Sequence, residues 1–208
     1  MKKIMFIFCM VSVLLMAVSA SADTITYPIT VPDSALLPYP GPYANVLVDR
    51  TDPTHATITM TALTPFAIGD GRSFDLNPNG PVTWSGLTSG FSLHVAPTPN
   101  VAPGFGDFIL LFDDGNGFSS PKFIVSVMLA LTSGTWSTAS NVLSPNIEGF
   151  VLAAHIGVPS PPAPPGESTY PVTGWAGNGQ PIPEPATMLL LGSGLIGLAG
   201  LARKRFKK

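Results

Sequence analysis

The sequence predicts an all-β body, a single β-sandwich of jelly-roll or Greek-key type, and three observations predict it. First, THATITMTAL at residues 54–63 alternates. Ala56, Ile58, Met60 and Ala62 fall on one face, and His55, Thr57, Thr59 and Thr61 on the other. A period of two with β-branched residues is the signature of a half-buried strand. Second, FILLF (108–112) and FIVSVMLAL (123–131) are apolar without alternation, as expected of central strands covered on both faces. Third, the turn pairs Asp70-Gly71, Asn79-Gly80, Pro103-Gly104, Asp114-Gly115 and Asn116-Gly117 punctuate the chain at the spacing of short strands.

In chain order, the first element is a signal peptide over residues 1–22. Lys2 and Lys3 form its basic start, Ile4 to Ala17 its apolar stretch, and Ala20-Ser21-Ala22 its cleavage site. Cleavage is expected after Ala22, with Ala20 as the second choice. The β-domain follows over 23–158. Its further strands are ITYPITV (25–31), NVLVD (45–49), RSFDL (72–76), VTWSG (82–86), FSLHV (91–95) and GFVLAAHI (149–156). Residues 159–182 read as a linker. Between Pro159 and Pro185 stand nine prolines, a density that favours an extended spacer over a packed core. Tyr170 and Trp175 are out of place in such a spacer. They are expected either to pack back on the body or to sit at a membrane interface.

Charge and cysteine usage exclude several classes. Residues 23–185 hold three cations, Arg50, Arg72 and Lys122, against all twelve acids, a net charge of −9. Nucleic acid is bound by clustered cations, so none is expected as a partner. The single cysteine, Cys9, lies in the signal peptide. The mature chain therefore has no disulfide, thiol catalyst or cysteine–zinc site, and its core alone must hold the fold.

Candidate chemistry is sparse. Asp75, Asn77 and Asn79 with Gly80 follow the D-x-N-x-N-G start of a calcium loop, but Gly86 stands where the bidentate glutamate belongs. An Asx-turn at a hairpin explains the same residues. Asp113 and Asp114 cluster at a turn where calcium could screen their repulsion. No cofactor other than calcium is suggested. His55, His94 and His155 are scattered without metal-ligand spacing. There is no G-x-S-x-G elbow and no H-E-x-x-H. Trp84 and Trp136 read as core or half-buried sandwich residues, with stacking on sugar rings as the alternative.

The C-terminal segment reads PEPATMLLLGSGLIGLAGLARKRFKK. Gly192, Gly194 and Gly197 fit a dinucleotide fingerprint, but no βαβ unit and no acid follow them. Ala186 to Ala202 is instead an uncharged run of 17 residues. As a helix it would be about 26 Å long, close to the hydrocarbon thickness of a bilayer. Arg203, Lys204, Arg205, Lys207 and Lys208 form a basic tail over 203–208 that would stay on the cytoplasmic side. Pro183-Glu184-Pro185 stands just before the helix.

This order of parts over 183–208 resembles the PEP-CTERM sorting signal of Gram-negative bacteria. The signal peptide implies export, with signal peptidase removing it, and the resemblance implies a transient inner-membrane intermediate and cleavage by an exosortase near Pro183, Glu184 and Pro185. Those residues would be a substrate, not catalysts. It also implies delivery to the cell surface or an extracellular matrix. The expectation is thus an exported, non-catalytic protein with a structural or adhesive role in envelope or biofilm. A carbohydrate- or calcium-binding module gripping exopolysaccharide is the alternative, and a secreted hydrolase the third.

Overall fold

The computed structural model describes residues 23–69, 72–115, 117–160, 169–179 and 182–183. The signal peptide, Glu184, Pro185, the apolar run 186–202 and the basic tail all lie outside the described residues.

The described chain is all-β and antiparallel. Its strands are β1 (Asp23–Pro32), β2 (Ala44–Arg50), β3 (His55–Ala62), β4 (Ala67–Ile68), β5 (Arg72–Leu76), β6 (Val82–Ser85), β7 (Ser92–Ala102), β8 (Gly106–Asp113), β9 (Ile124–Leu131), β10 (Leu152–Val158), β11 (Val172–Asn178) and β12 (Ile182–Pro183). Every strand expected from the sequence is present, most within three residues of the expected bounds, although β7 runs seven residues beyond FSLHV. The order along the sheet is β6-β9-β3-β2-β1-β11-β10-β5-β8-β7, with β12 also on β1 and β4 also on β10. The expected division into two separate sheets is absent from this pairing, because β1–β11–β10 stitches the two halves into one curled sheet. Ser85 ends one outer strand and Ser92 begins the other, so only six residues join the two ends of the path.

One face of the curl encloses the main core. Alternate residues of each strand supply it: Tyr27 and Ile29, Val46 and Val48, Ile58 and Met60, Phe74 and Leu76, Leu110 and Phe112, Val125 and Val127, Leu152 and Ile156. Each such side chain contributes about 1.5–3 kcal/mol when taken out of water. β3 alternates as its sequence demands: Ala56, Ile58 and Met60 are buried, and the threonines face outward. On that outer face Thr59 Oγ1 meets Ser126 Oγ across the strands at 3.0 Å.

Two elements differ from expectation. β9 alternates in burial, although its sequence is apolar throughout. Val125, Val127 and Leu129 enter the core, while Ile124 and Met128 are exposed, as is Phe123 before the strand. Nothing among the described residues covers the outer face of this half of the sheet. β8 is covered on both faces for four of the five residues of FILLF, Phe108 and Leu111 in the smaller cluster and Leu110 and Phe112 in the main core, while Ile109 is exposed.

The second difference is β11. It lies inside the stretch 159–182 expected as a linker, yet it runs between β10 and β1 in the middle of the sheet. Proline sets its borders, not its interior: Pro171 precedes it and Pro181 follows. Between them VTGWAGN has every N–H a ladder needs. β7 also runs on through Pro97 and Pro99, which a strand at the edge of a sheet tolerates.

Candidate functional site

The face of the sheet opposite the main core carries a second, smaller apolar cluster over β7, β8, β10 and β11. It contains Ala102, Phe105, Phe108, Leu111, Ala153 and Trp175, with Phe150 packed against it. Two loops lay rings on this face. Phe105 comes from the β7–β8 turn and Phe150 from the residues before β10, and they meet edge to face at 5.0 Å. Asn146 ties the loops together. Its Nδ2 donates to Phe105 O at 2.7 Å and to Asp107 O at 3.2 Å, and its Oδ1 accepts from Phe150 N at 2.9 Å. The rings fit only because β11 is bare at Gly177, where a Cβ would stand 2.6 Å from ring carbons of both.

Beside this cluster lies a column of charged and aromatic side chains. Arg72 and Asp75 would point to opposite faces of a regular strand, since three residues separate them. The register of β5 against β8 shifts between Arg72 and Phe74, and this puts both on the outer face. There the Arg72 guanidinium pairs with the Asp75 carboxylate. Arg72 Cζ also lies 5.4 Å from the Trp175 ring centroid, a cation–π contact worth about 0.5–2 kcal/mol. His155 is the cross-strand partner of Trp175 and stacks on it at 5.2 Å with planes 2° apart. Phe118 meets His155 edge-on at 5.5 Å, and Tyr170 lies 5.6 Å beyond Phe118.

Asp75 is fully buried, and its Oδ1 finds no hydrogen-bond partner among the described residues. Burial pushes its carboxyl up to about 7, against the opposing pull of the Arg72 charge and hydrogen bond. The column therefore holds a carboxyl poised near neutrality, but one closed off from solvent.

The remaining candidates are not brought together. Asp75 belongs to strand β5, not to an open loop. The Asn77 side chain is committed to the backbone, accepting from Ile109 N at 2.9 Å and donating to Asp107 O at 3.3 Å. Asn79 donates through Nδ2 to Asn141 O at 2.9 Å, and its carbonyl accepts from the Trp136 indole at 2.9 Å. Asp113 accepts from Gly115 N at 2.7 Å in a tight turn, and its neighbour Asp114 is buried. His94 lies on β7 beside Ser92, while His55 Nδ1 sits 2.9 Å from Asp52 at the β2–β3 turn. Backbone and side-chain hydrogen bonds from Thr54 and His55 hold the Asp52 carboxyl down to about 2. No group of three or more His, Cys, Asp or Glu suited to a metal ion occurs among the described residues. Of the tryptophans, Trp136 is buried, Trp175 is nearly so, and Trp84 at the edge strand β6 is 40% exposed.

The column is hidden in the sequence because its members come from four separate segments. Tyr170 and Trp175 are its visible signals, as aromatic residues without a place in a proline-rich spacer.

At the C-terminal end of the described chain, Ile182 and Pro183 pair with Thr26 and Ile25 of β1. Pro183 is thus the only residue of the Pro-Glu-Pro triplet within the described residues. Comparison with curated proteins and with solved structures finds no match. A family model does match: the PEP-CTERM protein-sorting motif covers residues 181–205. The C-terminal segment thus carries a PEP-CTERM sorting motif, which implies export and processing by an exosortase.

Proposed function

We propose that this chain is a non-catalytic surface or extracellular-matrix protein with a structural or adhesive role in envelope or biofilm. The observation that carries the proposal is the sorting motif following directly on an all-β body. Such a signal specifies an address and leaves the work at that address to the body. The body is rich in backbone pairing, and residues 23–185 carry a net charge of −9 with no cysteine. That composition suits a durable, soluble module outside the cytoplasm.

Two features support leaving catalysis out. Asp75 has a raised pKa that would suit acid–base chemistry, but it is fully buried and paired with Arg72. The three histidines lie on different strands, β3, β7 and β10, with different neighbours. The burial of Trp136 and Trp175 counts against a sugar-stacking platform, which needs exposed ring faces.

The test is substitution of the motif in the full-length chain, expressed in an exosortase-bearing host. The unmodified protein should appear as a shortened form at the cell surface or in the medium. Glu184→Ala should remain full-length in the inner-membrane fraction. Release of the variant in the same shortened form and amount would overturn the assignment of this site.

A further inference from the structure

The sheet has two unlike halves. From β6 through β9, β3 and β2 to β1 the pairing runs in unbroken register. The register shifts fall elsewhere, at β1–β11, β5–β8 and β7–β8. Bulges bend and twist a strand, so the first half presents the more regular outer surface. The second half covers its outer face with the Phe105–Phe150 cluster and the Arg72–Trp175 column. On the first half nothing among the described residues does so.

What this half turns outward differs from the rest of the chain. Leu47, Ile124 and Met128 are 38%, 54% and 43% exposed. They stand cross-strand from Thr59, Thr61 and Thr57 of β3, which runs between β2 and β9. Three apolar side chains thus flank a row of threonines. The Thr59 and Ser126 hydroxyls satisfy each other at 3.0 Å, so they can leave water without being left unpaired. Asp49, near the end of β2, is the only Asp, Glu, Lys or Arg that β2, β3 and β9 turn to this side by their alternation. Residues 23–185 carry a net charge of −9, so two copies repel over most of their surface. This face is where they can meet without that repulsion.

We infer that the outer face of β9, β3 and β2 is a contact between two copies of this chain, packed sheet on sheet about 10 Å apart. The same patch serves on both copies, so the pair closes on itself. A neutral polysaccharide is the competing occupant. Sugars are held by exposed aromatic ring faces, and none of the outward side chains of β2, β3 and β9 is Phe, Tyr or Trp. The four strands from β9 to β1, about 4.8 Å apart and about seven residues long, span about 19 Å by about 24 Å. That is about 450 Å² per copy before the relief of side chains, against about 800 Å² in a standard interface. The pair therefore forms in the micromolar range and opens on dilution. This contact goes beyond the address given by the sorting motif and does not rest on it.

The test begins without any substitution. Met128 is exposed, whereas Met60, the other methionine of the described residues, is fully buried. The exported chain, as its host delivers it, is treated briefly with hydrogen peroxide over a dilution series. Met128 sulfoxide is read by peptide mass, and the mass in solution by sedimentation of the same samples. The expected result is a dimer mass on concentration, with Met128 oxidation slowing in proportion to the paired fraction. Leu47→Glu and Ile124→Glu charge the face at side chains already exposed in the single copy, so both should fold and stay monomeric. Ile147→Glu, 93% exposed in the loop before β10, should pair like the parent. A parent chain that stays monomeric at every concentration overturns the inference. If a neutral glucan protects Met128 in that monomer, the face is a polysaccharide site instead. A dimer that leaves Met128 as reactive as in the monomer overturns it too, including one held by the apolar run 186–202. Should the glutamate variants fail to fold, the parent's Met128 protection decides alone. Loss of tail processing would defeat the sorting reading and leave this readout unchanged.

Discussion

Asp75 shows how much one residue's meaning depends on what covers it. In the sequence it opens D-x-N-x-N-G and reads as a calcium ligand. In the fold it stands on β5 between β8 and β10, paired with Arg72 and fully buried. Its raised pKa has a definite consequence for stability. From about pH 4 to about 7 the native state keeps a proton that the unfolded chain has already lost, so stability falls as pH rises through that window. The effect is about 4 kcal/mol at most. Asp75→Asn in the released form should flatten this slope, read as urea midpoints between pH 4 and 8. A variant with the parent's pH profile would contradict the assignment of the buried proton. Its burial was illegible because the flanking strands β8 and β10 join β5 only by long-range pairing. The partner Arg72 reaches it only through a register shift, which no alternation pattern announces.

Among elements, the strands with a regular pattern were legible and those defined by context were not. THATITMTAL became β3 with the expected faces, because alternation in sequence maps directly to alternation in space. FIVSVMLAL became a strand, but its outer face stayed open, since sequence does not state whether a second layer will cover it. β11 was hidden by its flanks. A count of prolines over 159–185 averages out VTGWAGN, whose Gly177 makes room for the rings of Phe105 and Phe150 and whose Gly174 makes room for Asp33 and Leu36. Gly177→Ala tests this element. A Cβ there must displace Phe105 and Phe150, so the variant should lose about 1–3 kcal/mol by thermal or urea unfolding. An unchanged stability would mean that the segment behaves as the spacer its composition suggests.

For the whole molecule, topology adds what neither end of the chain shows separately. β1 starts at Asp23, the first residue after the expected signal cleavage, and β12 ends beside it. The Asp23 carboxylate accepts from Ala139 N and lies 3.6 Å from Arg50 Nε, so the start of the body is fastened as well. The exported body thus begins and ends at one pole of the sheet. The two segments read as membrane-directed, 1–22 and 183–208, adjoin that pole. The address was plain in the sequence from three ordered parts, whereas the body's closeness to the motif required the strand pairing. The central claim is that this body is delivered by cleavage near Pro183–Pro185. Its most direct test is an intact mass with C-terminal peptide mapping, on protein taken separately from membranes and culture medium. A released form that begins at Asp23, ends near Pro183–Pro185 and lacks the basic tail is the predicted result. A full-length tail found only in the inner membrane would contradict it.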